Sequence, residues 1–214
     1  DDVAAGDIAT GPQRLWPSRA DWVPTRRAPD PLLVDFFPFI SAQNLPVPVI
    51  IALIDGLLQD QQPVAIQDAR ALFRYAYRVA GTVGLLMCHV LDCDDDAARA
   101  HAIDLGIAMQ LTNIARDVLE DAKMGRRYLP ASWAGDLSPA HITAASTLPD
   151  SEPAQALRVA VQKLLKMADS YYRSGNAGLA YLPWRAHIAI AVAANVYRQI
   201  GVQIAASGYG WHLG

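Results

Sequence analysis

Four polar side chains recur in one short stretch, Gln110, Asn113, Asp117 and Asp121, at spacings of three, four and four residues. On a helix advancing about 100° per residue they fall within roughly 80° of one another, so two carboxylates and two amides share one stripe. Ile107, Ile114 and Val118 flank it, which turns it toward a cavity or groove and away from open water. Carboxylates one turn apart repel each other. A partly buried pair therefore needs a compensating cation. Mg²⁺ suits it, because this hard ion takes oxygen ligands, keeps several waters and completes its shell with phosphate oxygens. The rival reading is an incidental DxxxD on a solvated face, and for a lone acidic pair it prevails. Here the added amides, Arg116 beside the stripe and the apolar flanks favour metal binding.

The elements that must present this stripe are helical. Apolar periodicity predicts helices near 31–41, 46–60, 65–90, 95–123, 151–176 and 183–207. Pro46, Pro48 and Pro63 mark starts, where proline is tolerated. Residues 1–30 are irregular, because Gly6, Gly11, Pro12, Pro17, Pro24 and Pro29 fall too close together for a long helix. The stretch 124–150, with Gly125, Pro130, Gly135, Pro139 and Pro149, reads as a loop with at most one short helix near Pro139 to Ala145. There is no strand-like alternation and no internal repeat. The expectation is one all-α domain over 31–214 behind an irregular segment 1–30.

The bulk numbers fit one domain: 214 residues, 52% hydrophobic, with a net charge of -3. A pI near 5.9 argues against a nucleic-acid partner, whose footprint is usually basic. Cys88 and Cys93 lack zinc-site spacing, and two free thiols fit a reducing cytoplasm. The most apolar stretches, Leu45 to Leu58 and Ile188 to Val196, are shorter than the roughly 20 residues that span a bilayer. A soluble protein is expected, with peripheral membrane attachment left open. No Walker loop or GxGxxG occurs, and His89, His101, His141, His187 and His212 show no ligand spacing.

At three places the residues match a known pattern. Gln110 to Asp121, followed by Gly125-Arg126-Arg127-Tyr128-Leu129-Pro130, resembles the second aspartate-rich region of the squalene/phytoene synthase family. Tyr75-Ala76-Tyr77-Arg78-Val79-Ala80-Gly81-Thr82-Val83-Gly84 resembles that family's tyrosine-rich, small-residue helix. Ala180 to Arg185 and Val196 to Gly201 resemble its C-terminal helices, and the combination is most like bacterial phytoene synthases. The resemblance implies an isoprenoid-synthase-type helical bundle around a central cavity. It implies a Mg²⁺-dependent head-to-head coupling of two geranylgeranyl diphosphates to phytoene, with Mn²⁺ as an alternative ion and no NADPH. Squalene, dehydrosqualene or presqualene diphosphate synthesis from farnesyl diphosphate is the alternative, and a non-catalytic helical partner is a third reading.

Residue by residue, the resemblance makes Asp117 and Asp121 metal ligands, with Asn113 and Gln110 orienting metal-bound water or diphosphate. Arg116 and Arg126 bind diphosphate oxygens. Tyr75, Tyr77 and Tyr197 are candidates to face a carbocation, against ordinary core packing. Ala80, Gly81 and Gly84 leave room for a prenyl tail, or allow close helix packing. The family's first motif, D-D-x-x-D, is matched only in part by Asp1-Asp2-Val3-Ala4-Ala5, where Ala5 stands in the third aspartate's place. That leaves Asp1 and Asp2 as its metal-binding candidates, with an exposed acidic terminus as the rival. The helices that precede this motif in the family have no counterpart in this sequence. Asp55 and Asp60 are read as a polar helix face in preference to a pocket role.

Overall fold

The computed structural model describes residues 36–93 and 95–213. Asp1, Asp2 and the segment 1–30 lie outside the described residues. Among those described there is no β-strand, only helices and one isolated parallel bridge between Ala65 and Arg127.

Helix α1 spans Phe36–Ala42 and α2 spans Val47–Gln59, the latter entered at Pro46. Helix α3, Ala69–Ala76, runs through a π-helical turn, Tyr77–Gly81, into α4, Thr82–Val90. The predicted start at 65 moves to 69 for a tertiary reason. Residues 64–67 are extended against the 127–132 segment, through Arg127 N–H to Val64 O (2.7 Å) and Ile66 N–H to Arg127 O (3.0 Å). Asp68 then caps α3 by accepting from Ala71 N–H.

Asp95 caps α5, Asp96–Arg116, in the same way. The predicted continuous helix 95–123 is broken at Asp117, whose φ of -98° and ψ of 15° leave the helical region. Helix α6, Val118–Lys123, resumes beyond it. The stretch read as loop carries two short helices, α7 at Ala131–Ala134 and α8 at Pro139–Ala145. Helix α9 covers Glu152–Gly178, capped by Ser151. A 3₁₀ turn, Leu179–Tyr181, leads to α10, Trp184–Ala206.

Helix α5 is central and packs on α3, α4, α9 and α10. Its Leu111, Ala108 and Ala115 are fully buried, as are Leu157, Val161 and Leu164 of α9. On the α4 side the approach is backbone to backbone. A Cβ on Gly84 would run into the carbonyl of Ala102, and one on Gly106 into the carbonyl of Ala80. The small residues of this helix thus permit close packing first. Ala80 and Gly84 also border a cavity, whereas Gly81 does not.

Helix α10 corrects the hydropathy reading. It is one 23-residue helix, long and apolar enough by length and composition to cross a membrane. Trp184, Ile188, Val192 and Val196 repeat every four residues along it and are all more than half exposed.

Candidate active site

The C-terminal turns of α5 and the start of α6 gather the polar stripe. Asp117 N–H still donates to Asn113 O (2.9 Å), and Asp121 N–H donates to Asp117 O (2.8 Å), so the break at Asp117 tilts the stripe without dispersing it. Asp117 and Asp121 are half-buried, while Ile107, Ile114 and Val118 face the core.

Arg116 holds Asp117 through two bonds, Nε to Oδ1 and Nη2 to Oδ2, each 2.6 Å. That paired contact stabilises the guanidinium and raises its pKa. Asp121 has no such partner. Burial pushes its carboxyl up to about 7, the Asp117 charge adds to the effect, and only the Arg126 charge opposes it clearly. Backbone geometry brings Arg126 there, because its N–H donates to Asp121 O (2.9 Å). Its Nη2 donates to the backbone carbonyl of Asp60 (3.0 Å). The adjacent Arg127 is buried and pairs with Asp136 (2.9 Å), so of the two arginines only Arg126 serves this site.

Asp60 does not lie on a plain polar face as expected. Its carboxylate accepts the hydroxyls of Tyr75 (3.0 Å) and Tyr128 (2.7 Å). Those two rings stack with centroids 4.8 Å apart. Burial raises the Asp60 carboxyl, and the two phenol donors partly counter it. Burial also pushes both tyrosine hydroxyls up, so they remain donors. Tyr75 is 4% exposed and lines no tail cavity. Its hydroxyl instead braces the Asp60 carboxylate. Tyr77 packs against the core and does not line that cavity either.

Tyr197 borders a cavity of about 310 Å³ between α4, α5, α9 and α10, together with Gln110 and Asn113. The rest of the lining is apolar or thiol, including Ala80, Met87, Ala102 and Leu182. Asp117 and Asp121 lie beyond its polar end, at the next turns of the same stripe. The Asn113 Oδ1 atom is buried and has no hydrogen-bond partner.

Among the described residues no three His, Cys, Asp or Glu side chains cluster as a closed metal cage. What is present is two carboxylates, an unpartnered amide oxygen and flanking guanidinium groups. This all-oxygen, open donor set fits Mg²⁺, which needs few protein ligands when phosphate and water supply the others. In sequence alone Asp60 reads as part of a polar helix face and Tyr128 is named only within Gly125 to Pro130, because nothing local shows that the two meet across 68 residues.

The squalene/phytoene synthase family profile matches residues 5–213. A 15-cis-phytoene synthase of Enterobacter agglomerans is 43% identical over 153 residues, covering 72% of this chain and 50% of that protein. A phytoene synthase of Thermus thermophilus is 39% identical over 166 residues, 78% of this chain and 55% of that one. The chain thus spans about half the length of the curated relatives it matches. Among solved structures, squalene synthase HpnC from Alicyclobacillus acidocaldarius aligns with a TM-score of 0.75 at 22% identity, over 98% of this chain and 75% of that one. A dehydrosqualene synthase in complex with ligand gives 0.76 at 25%, over 98% and 72%. The fold is therefore the all-α bundle those proteins share, and the chain belongs to the squalene/phytoene synthase family.

Proposed function

We propose that the protein couples two geranylgeranyl diphosphates head to head and releases phytoene, a Mg²⁺-dependent prenyl transfer of carotenoid synthesis. One observation carries the reading. The unpartnered Asn113 oxygen belongs to a residue that lines a largely apolar cavity, and Asp117 and Asp121 follow Asn113 at the next turns of the same stripe. A charged head and a long hydrocarbon tail have opposite solvation needs, and this site meets both within one stripe. The phytoene synthases among its relatives favour the C20 outcome over farnesyl coupling.

Asp117, Asp121 and Asn113 would hold the metal, with Asp1 and Asp2 as further candidates outside the described residues. A bound Mg²⁺ would supply Lewis-acid stabilisation of the departing diphosphate. Arg116 and Arg126 bind diphosphate oxygens as the C1–O bond of the first substrate breaks. The double bond of the second substrate attacks that carbon, and loss of a proton closes a cyclopropyl-carbinyl diphosphate. A second ionisation, rearrangement and proton loss yield phytoene without a reductant. The Tyr197 ring, at the polar end of the cavity, offers a π face to positive charge and no strong nucleophile. The apolar walls exclude water.

We place this activity in the cytoplasm, at the inner face of the membrane, attached peripherally. The exposed apolar stripe of α10 supports that attachment, as does a substrate of such low water solubility.

Incubating the full-length protein with labelled geranylgeranyl or farnesyl diphosphate, with and without NADPH, tests the reading. Phytoene from the C20 substrate without NADPH is expected. Squalene or its relatives from farnesyl diphosphate would establish the alternative. Absence of any product together with absence of diphosphate-analogue binding would leave a non-catalytic subunit.

A further inference from the structure

Asp60 stands where three segments meet, and its backbone and its side chain have different partners. It caps the end of α2, where its N–H donates to the Leu57 and Leu58 carbonyls. The turn closes on backbone bonds from Gln61 N–H to Leu58 O (3.2 Å) and from Gln62 N–H to Gln59 O (3.1 Å). The last carbonyls of a helix lack an intrahelical donor and carry the negative end of its dipole. The Asp60 carbonyl lies at that end, and the Arg126 guanidinium donates to it through Nη2 (3.0 Å).

The side chain anchors that carbonyl. Oδ1 accepts the Tyr128 hydroxyl (2.7 Å) and Oδ2 the Tyr75 hydroxyl (3.0 Å). Tyr75 belongs to α3 and Tyr128 to the segment after α6. Both rings are buried and stacked on each other, so the carboxylate cannot swing away without stranding two buried hydroxyls. A few residues on, the bonds between Val64, Ile66 and Arg127 fix the same two segments side by side. A guanidinium carries five N–H donors in one rigid plane. Seating Nη2 on the Asp60 carbonyl orients that plane and leaves other donors for a ligand. Arg126 N–H donates to Asp121 O (2.9 Å), and the two residues border one small crevice. The oriented fork therefore lies beside Asp121.

We infer that Asp60 is a positioning residue for diphosphate binding: by tying the end of α2 to Tyr75 and Tyr128, it sets the plane in which Arg126 offers its fork beside Asp121. The inference rests on the reading that the site binds prenyl diphosphates. Asp60 does not line the apolar cavity, and both of its carboxylate oxygens are occupied by phenols. Its effect on the substrate passes through Arg126.

Calorimetric titration of the full-length protein with unreactive geranylgeranyl thiodiphosphate in Mg²⁺ provides a readout independent of turnover. Asparagine has one acceptor oxygen where the carboxylate has two, so Asp60→Asn cannot take both phenol hydroxyls as before. It should weaken analogue binding by about tenfold, and Arg126→Lys by a similar factor. Added to Arg126→Lys, the Asp60→Asn change should weaken binding by less than about twofold more, because it acts through a contact already lost. In turnover, Asp60→Asn should raise KM more than it lowers kcat. Circular dichroism checks the fold. If Asp60→Asn does not fold, Tyr128→Phe, which keeps the stacked ring and removes one donor, takes its place in the same cycle. Unchanged analogue affinity in a folded variant, or losses that multiply in full when the two changes are combined, would make Asp60 structural only and overturn the inference. No binding of the analogue by the parent protein would overturn the prenyl diphosphate reading itself.

Discussion

Arg116 and Asp117 are adjacent in the chain, and their side chains face each other through two parallel hydrogen bonds of 2.6 Å. At the helix break at Asp117 a guanidinium and a carboxylate thus stand side by side, one turn beyond the cavity-lining Asn113. The pair aims the Asp117 carboxylate and leaves Asp121 without a paired guanidinium of its own.

Replacing Asp117 with Asn should reduce turnover by about a hundredfold or more, since a ligand aimed at developing charge is lost. Far-UV circular dichroism should be unchanged, because the backbone bonds through Asn113 and Asp121 do not use this side chain. Retention of most activity would remove Asp117 from the metal site.

Asp121 makes the site pH-sensitive. Its folded pKa of about 7 lies above the ordinary 3.8, so between those values the folded state binds more protons than the unfolded chain. Metal-free stability should therefore fall as pH rises from about 4 through 7. Asp60, also raised, acts in the same direction. Mg²⁺ binding needs the ionised carboxylate, so its affinity should rise over the same window and the metal should stabilise the protein most above pH 7. Melting curves at several pH values, with and without Mg²⁺, check both signs. In Asp121→Asn the Mg²⁺-linked part should flatten.

Arg126→Lys should weaken diphosphate binding more than it weakens the fold. Lysine keeps the charge but cannot reach the Asp60 carbonyl and a phosphate with one planar fork. A raised KM with a melting temperature within a few degrees of the parent is the expected split.

Tyr128→Phe and Tyr75→Phe each remove one donor from a buried carboxylate, at a cost of about 1–3 kcal/mol. Urea melts measure it. Activity should fall less than in Asp117→Asn, because neither hydroxyl borders the cavity. A Tyr75→Phe protein that is fully stable yet inactive would restore Tyr75 to the chemistry.

Gly84→Ala should destabilise by about 1–3 kcal/mol, the usual cost of overpacking. The added methyl meets a backbone carbonyl in place of a flexible side chain. A neutral result would show that α4 and α5 can separate.

What was legible in the residues alone is what depends on neighbours a few positions apart. The stripe of Gln110, Asn113, Asp117 and Asp121 follows from helical periodicity, so its common facing survives even the break at Asp117. The caps at Asp68, Asp95, Ser138 and Ser151 are local too, as are the proline starts. Only the folded molecule decided the partners of Asp60, which come from 15 and 68 residues away. It also decided the desolvation that lifts Asp121, the two thiols in the cavity lining, and the outward face of α10. These depend on which helices meet. Periodicity can say that a face is apolar or acidic, but what stands opposite it, and how much water lies between, is set by the packing of distant segments.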